Sequence, residues 1–393
     1  MKQGDGRAAM KKEPTHPTQT SGLFNAAGPA RRVGVLGAGQ LGRMLALQGY
    51  PLGLRFRFFD PSANGPANDM ADQHEEDYCD FNALKSFAAG LDCVTYEFEN
   101  VPVESARFLA AHVPFIFPPP EALEASQDRL LEKQFFKGLG IETAPFRAVN
   151  SIKELEQAIA ELGAPAILKT RRMGYDGKGQ AVIREKSQAR AAFAALGGRQ
   201  LILEGFVDFQ REVSILAARG KDGSTVYYPV VENIHHEGIL RISRAPAPNI
   251  SPLLQEHAEK IAAKVLDELD YVGVLCIELF EKNGQLIANE MACRVHNSGH
   301  WTIEGAKTSQ FENHIRAGLG YALGDTHALG YCAMVNLIGK LPDAAAVLAV
   351  PGAHLHLYNK APKPGRKLGH VTVVEDTLEE REMCLEKILE LIA

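Results

Sequence analysis

Two glutamates in apolar surroundings are the residues of this sequence best suited to hold a cation. Glu278 and Glu290 each interrupt an apolar run, and Asn283-Gly284 separates the two runs. This dipeptide is a strong hairpin signal, so the glutamates are expected to be cross-strand neighbours. Two carboxylates in an apolar hairpin repel each other unless a cation lies between them, and Mg²⁺ suits carboxylates together with phosphate oxygens. A solvated acidic face is the alternative.

A glycine-rich loop is the second chemical feature, because it can bind phosphate. An apolar strand ends at Lys169, glycines follow at Gly174, Gly177 and Gly179, and a short strand is predicted over 181–183. Glycine permits positive φ and a close approach of the backbone, so successive N–H groups can converge on phosphate oxygens. The spacing differs from a Walker A loop, and a tight solvated hairpin is the alternative.

Four cations near the C-terminus form a candidate phosphate site. Lys360, Lys363, Arg366 and Lys367 lie on one loop that prolines stiffen, in a chain whose net charge is -6. Arginine binds phosphate in a bidentate manner. The loop is therefore predicted to contact a phosphate group, and a solvated surface turn is the alternative.

The segment 294–301 is too polar and irregular for a core, and it predicts an active-site loop. His296 and His300 have the spacing of a zinc pair on a helix. No third ligand is evident, so zinc is disfavoured.

The N-terminal part begins with a strand at residues 31–36 and the glycines Gly37, Gly39 and Gly42. This pattern fits the G-x-G-x-x-G fingerprint of dinucleotide-binding proteins, which leaves an NAD-dependent dehydrogenase open. The same glycines could merely close a tight turn before a helix. Glu97 follows another apolar strand, at the sheet edge where ligands bind in open α/β folds.

Other elements carry further candidate ligands. A helical pattern over 121–139 has Arg129 and Lys133 on one face. Glu204 ends a predicted strand, Glu212 lies on another, and His235 is expected in a loop.

Bulk properties narrow the class of protein. A chain of 393 residues is long enough for two or three domains. Its negative charge argues against general nucleic-acid or anionic-membrane binding, and no apolar run reaches the roughly 18 residues of a membrane span. Six scattered cysteines without a C-x-x-C pair favour a reducing compartment, the cytoplasm. Residues 1–29 are expected to form a disordered leader.

Four motifs in order carry a family resemblance: residues 39–44, 174–180, 294–301 and 364–370. Together they resemble the N5-carboxyaminoimidazole ribonucleotide synthetase family of purine biosynthesis, which belongs to the ATP-grasp superfamily. The resemblance implies a mixed α/β and α+β chain with the ATP-grasp fold. A Rossmann-like pre-ATP-grasp domain is expected over 30–125. The ATP-grasp domain is expected over 126–325, with a lid subdomain at about 145–207.

The resemblance also implies a small β-rich domain over 326–393 and the activity. The substrates would be ATP, bicarbonate and 5-aminoimidazole ribonucleotide, with carboxyphosphate as the intermediate. The family implies a homodimer. Within the superfamily, the formate-dependent glycinamide ribonucleotide transformylase is the nearest alternative, and a nucleotide-binding regulatory protein is the alternative without catalysis.

Site residues follow from the resemblance by motif position. Glu278 and Glu290 would hold Mg²⁺, with Asn289 beside them. The ATP contacts would be Arg129, Lys169, Gly174, Tyr175, Asp176, Gly177, Lys178, Gly179, Gln180, Glu204, Gly205, Phe206, Val207, Glu212 and His235. The ribonucleotide would lie among Gln40, Leu41, Glu97, Tyr175, Asp176, Asn297, Lys360, Arg366 and Lys367.

Three residues are implied in the chemistry itself. Arg294 would face bicarbonate or the γ-phosphate. Asp176 in the lid, beside Tyr175, would accept a proton from the attacking amine or orient it. Two positions depart from the family pattern, because Cys293 stands where proline is usual and Lys363 where arginine is common.

Overall fold

The computed structural model describes residues 30–174 and 177–393. The predicted leader and the lid residues Tyr175 and Asp176 lie outside this part. Among the described residues, no helix has the length and apolar character that crossing a membrane requires.

The N-terminal region is a parallel sheet with helices against it. Short, mostly apolar runs form β1, β2 and β4, and most of their side chains are buried, whereas β3 is polar and partly exposed. The elements are β1 (Arg32–Leu36), α1 (Gln40–Gly49), β2 (Arg55–Phe59), β3 (Asp72–His74), α2 (Phe81–Ala88), β4 (Cys93–Tyr96) and α3 (Val103–Ala110). The strand order β3-β2-β1-β4 puts the carboxyl end of β1 between those of β2 and β4.

The helical pattern over 121–139 forms two helices, so the prediction of one continuous helix is wrong. They are α4 (Pro120–Gln127) and α5 (Arg129–Gly138). Asp128 separates them with extended dihedral angles, and its carboxylate accepts a hydrogen bond from the N–H of Leu130 as an N-cap. The same carboxylate pairs with Arg171 at 2.7 Å. The residue at the break therefore makes a tertiary contact with Arg171, which helical periodicity does not reveal.

A small antiparallel sheet carries the glycine loop. Its elements are β5 (Phe146–Val149), α6 (Ile152–Leu162), β6 (Ala166–Thr170), β7 (Gln180–Ile183), α7 (Ala189–Ala195) and β8 (Leu201–Gly205). The strand order is β5-β8-β6-β7, and the glycine loop connects β6 to its partner β7. Helices α6 and α7 cover one face with an apolar core.

The remaining strands form one large antiparallel sheet. Its elements are β9 (Arg211–Arg219), β10 (Thr225–Tyr227), β11 (Val231–His236), β12 (Ile239–Ala245), α8 (Pro252–Glu268), β13 (Gly273–Lys282), β14 (Gln285–Ala292), α9 (Thr302–Gly305), α10 (Gln310–Leu319), β15 (Tyr331–Ile338), α11 (Ala344–Leu348), β16 (Ala353–Leu357), β17 (Lys367–Glu375) and α12 (Leu378–Ile392). The order is β14-β13-β9-β11-β12-β15-β17-β16, with β10 beside β9. The mixed α/β and α+β organisation predicted from the sequence is confirmed.

The C-terminal strands are hydrogen-bonded to the central sheet, because β15 pairs with β12 from Ile242 to Ala245. One local finding differs from the sequence prediction: His235 lies within β11 and not in a loop beyond the strand.

Candidate active site

A cleft of about 940 Å³ lies where the glycine loop, the central sheet, the N-terminal region and the cationic loop meet. Most of the predicted site residues line it together. These are Gln40, Leu41, Glu97, Arg129, Lys169, Gly174, Gly177, Lys178, Gln180, Glu212, His235, Glu278, Asn289, Glu290, Arg294, Asn297, Lys360, Arg366 and Lys367. The structure thus brings residues from distant motifs into one space.

A smaller group of predicted residues does not line the cleft. Glu204 and Gly205 are the last two residues of strand β8, and both are buried. Gly179, Phe206 and Val207 are also absent from the lining of the cleft. Tyr175 and Asp176 fall outside the described residues.

The acidic hairpin forms as the sequence predicts. Asn283 and Gly284 both have positive φ, 51° and 73°, which is the geometry of a tight two-residue turn. Lys282 pairs with Gln285 next to the turn, whereas Glu278 pairs directly with Glu290 further along. A β-bulge between these pairs supplies the extra residue and puts the two carboxylates opposite each other.

The surroundings of the acid pair fit a hard cation. Burial, and then the neighbouring charge of Glu290, raise the pKa of Glu278 to about 7. The side-chain oxygen of Asn289 is buried and has no hydrogen-bond partner among the described residues. Oxygen donors of this kind are the ligands that Mg²⁺ prefers. The residues present therefore fit the predicted ion.

A second set of possible metal donors adjoins the pair. One ligand atom each from Glu212, His235 and Glu278 lies within 4.8 Å of the others. The ring of His235 is 3.1 Å from the carboxylate of Glu212. Burial lowers the pKa of His235, but the contact with Glu212 and the negative charges of Glu212, Glu278 and Glu290 together outweigh it, so the pKa is raised. Glu278 is common to this set and to the acid pair, so it is the central acidic group.

Arg129 joins the glycine loop to the acidic hairpin. Its guanidinium donates to the carbonyl oxygens of Thr170 at 3.3 Å and Gly174 at 3.2 Å, and it lies 3.7 Å from Glu290. A Cβ atom on Gly174 would lie 2.6 Å from the guanidinium. A larger residue at position 174 would therefore displace the Arg129 guanidinium from this position.

Lys169 belongs to a buried charge network below the glycine loop. Its ammonium group donates to Glu204 at 2.9 Å, and Lys133 lies 3.7 Å from the same carboxylate. Burial would raise the pKa of Glu204, but the two lysines outweigh it and hold the pKa at about 2. Glu204 is thus ionised and fixes the Lys169 side chain at the cleft.

Glu97 occupies the anion site of the N-terminal glycine motif. Its carboxylate accepts hydrogen bonds from the N–H groups of Gly39 at 2.7 Å and of Leu41 and Gly42 at 3.1 Å each. A Cβ atom on Gly39 would lie 2.4 Å from this carboxylate. The absence of a side chain on Gly39 therefore leaves room for the Glu97 carboxylate. The N–H groups that would bind the pyrophosphate of a dinucleotide donate to Glu97 instead. This contact argues against the dehydrogenase alternative.

Arg294 and Asn297 come from the polar loop after the hairpin. The guanidinium of Arg294 pairs with Glu99 at 2.8 Å, and this ion pair keeps it beside the cleft. The amide of Asn297 exchanges two hydrogen bonds with Asn336 on β15, at 2.8 and 3.1 Å. Both side chains are thus held by partners outside their own loop.

The cationic loop lines the same cleft. Lys360 donates a hydrogen bond to the side-chain oxygen of Gln40, although the two residues are 320 positions apart. Lys363, Arg366 and Lys367 line the cleft beside them. The predicted phosphate-binding loop and the N-terminal motif therefore share one pocket.

Three residues outside the predicted set of site residues contribute to this geometry. Glu99 pairs with Arg294, Lys133 supports Glu204, and the His296 ring lies 3.4 Å from Glu278. Burial lowers the pKa of His296 and His300 well below the usual range, so both rings are neutral. Among the described residues, the group of possible metal ligands consists of Glu212, His235 and Glu278 and includes neither His296 nor His300. For Lys133, the only signal in the sequence is its i, i+4 spacing from Arg129.

Three family models match the chain. The ribonucleotide synthetase preATP-grasp domain matches residues 30–127, the ATP-grasp domain matches 134–311, and the phosphoribosylaminoimidazole carboxylase C-terminal domain matches 332–383. The predicted ATP-grasp fold with its N-terminal and C-terminal domains is thereby confirmed.

Relatives cover nearly the whole chain. The N5-carboxyaminoimidazole ribonucleotide synthase of Pseudomonas aeruginosa is 50% identical over 362 residues, which are 91% of this chain and 99% of the relative. The crystal structure of the corresponding synthetase from Thermus thermophilus is 55% identical with a TM-score of 0.88, covering 92% of this chain and 98% of that one.

A third relative is the Aspergillus clavatus enzyme, whose crystal structure holds ADP and 5-aminoimidazole ribonucleotide. It is 32% identical with a TM-score of 0.86, and the similarity covers 92% of this chain and 98% of that one. The chain belongs to the N5-carboxyaminoimidazole ribonucleotide synthase family of ATP-dependent ATP-grasp ligases.

Proposed function

We propose that this chain carboxylates 5-aminoimidazole ribonucleotide with bicarbonate and ATP, through carboxyphosphate, in purine biosynthesis. The products are N5-carboxyaminoimidazole ribonucleotide, ADP and phosphate. One observation carries the proposal: an acidic hairpin, a glycine loop and a cationic loop line a single cleft. Such a cleft suits a nucleotide triphosphate beside a second, phosphorylated substrate.

The nucleotide end of the cleft would hold ATP. Lys169, fixed by Glu204, and Arg129 supply cationic donors, and the glycine loop supplies backbone N–H groups. Glu212 and His235 border this end on the central sheet. The complex of the Aspergillus relative with ADP supports the assignment.

Glu278 and Glu290, with Asn289, would hold Mg²⁺ beside the triphosphate. When bound, the ion would neutralise charge on the phosphate oxygens during transfer. The raised pKa of Glu278 supports this role, because a cation there would keep both carboxylates ionised.

The ribonucleotide would lie at the other end. Its phosphate would contact Arg366, Lys367 and Lys360, and its base would approach Asn297 and the 40–41 backbone. Glu97 would face it across the α1 N-terminus. The gathering of cationic side chains around this end supports a phosphorylated substrate.

Bicarbonate is a weak electrophile, so it must be phosphorylated before the amine attacks. Arg294 would face the bicarbonate or the γ-phosphate and spread the negative charge of the transferred group. Carboxyphosphate is lost in water, so the cleft must exclude solvent during transfer. Tyr175 and Asp176 are proposed for this step from the sequence alone, with Asp176 as proton acceptor or orienter of the amine.

The domain boundaries, assembly and location complete the proposal. We place domain boundaries at 125 and 325, with a lid subdomain at about 145–207. A homodimer follows from the family resemblance, and light scattering would test it. A cytoplasmic location follows from the cysteine pattern, and all six cysteines are free thiols.

An assay of ADP release tests the function. ATP, bicarbonate and 5-aminoimidazole ribonucleotide are supplied together, and each is then omitted in turn. Full turnover is expected only with all three. Turnover that needs formate and ignores the aminoimidazole compound would establish the transformylase alternative, and ATP binding without phosphate release would indicate a regulatory protein.

A further inference from the structure

The β-bulge in strand β14 decides which face of the hairpin Glu290 occupies. In a regular ladder continued from the turn, Asn289 would stand opposite Glu278. Glu290 would then fall on the opposite face, because successive side chains alternate. The extra residue at 289 shifts the register by one, so Glu278 and Glu290 share the face that lines the cleft.

Strand β14 is an edge strand of the sheet, and a buried lysine binds its backbone at the bulge. The ammonium group of Lys133 donates to the carbonyl oxygen of Asn289 at 2.6 Å and to that of Ala288 at 3.3 Å. Lys133 is only 1% exposed. An ammonium group buried this deeply is costly unless its donors are satisfied, so its contacts with the bulge are specific.

The preceding residue of the same helix binds the other side of the bulge. The carboxylate of Glu132, 2% exposed, accepts a hydrogen bond from the N–H of Met291 at 2.7 Å. Glu132 and Lys133 therefore contact the backbone on both sides of Glu290. The acceptor oxygen of Glu132 and the donor group of Lys133 thus match the groups they meet, an N–H donor and two carbonyl acceptors.

We propose that Glu132 and Lys133 are positioning residues that clamp this bulge and so aim Asn289 and Glu290 at the bound cation. The inference rests on the proposed function of the cleft, because it presumes a metal between Glu278 and Glu290. Neither Glu132 nor Lys133 touches the ion in this assignment. They act through the β14 backbone.

The clamp also connects the two sides of the nucleotide end. Lys133 lies 3.7 Å from Glu204, which in turn accepts the hydrogen bond of Lys169. A buried chain of contacts thus runs from the phosphate-binding lysine to the backbone beside Glu290. Through it, one helix sets the distance between the lysine and the acid pair.

Binding of Mn²⁺, followed by electron paramagnetic resonance in the presence of ADP, tests the clamp without turnover. Lys133→Met removes the donors and keeps an apolar stem, and Glu132→Leu removes the acceptor. Glu132→Gln is the conservative variant, because its amide oxygen can still accept from Met291. Lys137→Met, on the exposed side of the same helix, is the matched control.

We expect Lys133→Met and Glu132→Leu to weaken Mn²⁺ binding by about 10- to 100-fold, as loss of partners behind metal ligands commonly does. Glu132→Gln should recover most of the affinity, and Lys137→Met should match wild type. Hydrogen exchange in the peptide 285–292 should accelerate in Glu132→Leu, since the Met291 N–H loses its acceptor.

Folded Lys133→Met and Glu132→Leu proteins with wild-type affinity for Mn²⁺ would overturn the clamp and leave the proposed function standing. If Lys133→Met does not fold, the affinity of Glu132→Leu for Mn²⁺ alone decides whether the clamp exists. A wild-type protein that binds no Mn²⁺ would instead overturn the metal site itself, and the clamp with it. Equal losses in Lys137→Met would also refute the inference, because that side chain does not contact the bulge.

Discussion

Replacement of Glu204 by glutamine should destabilise the protein strongly. The Glu204 carboxylate is 3% exposed and lies between the ammonium groups of Lys169 and Lys133. Glutamine keeps the shape and removes the charge, so both lysines lose their buried counter-ion. The free energy of unfolding is the quantity to measure.

The pKa of Glu204 is about 2 in the folded protein against an ordinary 4.5, and at about 1.4 kcal/mol per pH unit this difference corresponds to about 3 kcal/mol. Removal of one partner from a buried ion pair costs about 3 to 5 kcal/mol in other proteins. We therefore expect Glu204→Gln to lose about 3 to 5 kcal/mol at pH 7.

The pH dependence has a definite sign. Because folding lowers the pKa of Glu204, its stabilisation is complete above the ordinary pKa of 4.5 and is lost as the pH falls through about 2. The difference between wild type and Glu204→Gln should thus stay constant from pH 7 to about 5 and narrow below about 4.5.

Urea unfolding followed by circular dichroism measures this difference. Glu156→Gln is the matched control, because Glu156 pairs with Arg190 at 3.4 Å on the exposed surface, where such a pair contributes about 0 to 1 kcal/mol. A loss below about 1 kcal/mol in Glu204→Gln would refute the argument that this carboxylate neutralises two buried lysines.

Two further predictions concern catalysis. Glu290→Gln should lower kcat by about 100-fold or more in the ADP-release assay while leaving the fold intact, because a carboxylate beside the transferred phosphate is lost. Glu281→Gln on the same hairpin, which pairs with Arg211 and does not line the cleft, should keep its turnover. Wild-type rates in Glu290→Gln would exclude the metal assignment. Arg366→Ala should raise the KM for the ribonucleotide far more than that for ATP, because Arg366 lines the cationic end of the cleft. Equal changes in both KM values would contradict its role.

The hairpin and the glycine loop were predictable because their signals are local. Asn283-Gly284 selects its turn by backbone dihedral preference, and the glycines after Lys169 separate two short apolar strands. Apolar periodicity likewise located most strands. These features depend on residues close together in the chain, which a sequence displays directly.

Contacts between distant segments decided the details of the site. Counting from the turn leaves Glu278 and Glu290 one residue out of register, and the bulge that corrects this is held by helix α5. The break at Asp128 depends on Arg171, which lies beyond the helix. In each case the stabilising partner comes from another part of the chain.

The glycine fingerprint shows the same division. Its spacing correctly indicates a tight strand-to-helix turn, and the turn exists. Whether its N–H groups bind a cofactor depends on Glu97, which arrives from another strand and occupies them. Local sequence therefore determined which elements form and which motifs they carry. The tertiary structure decided which charges are buried together, because burial and ion pairing depend on side chains that only the folded chain brings into contact.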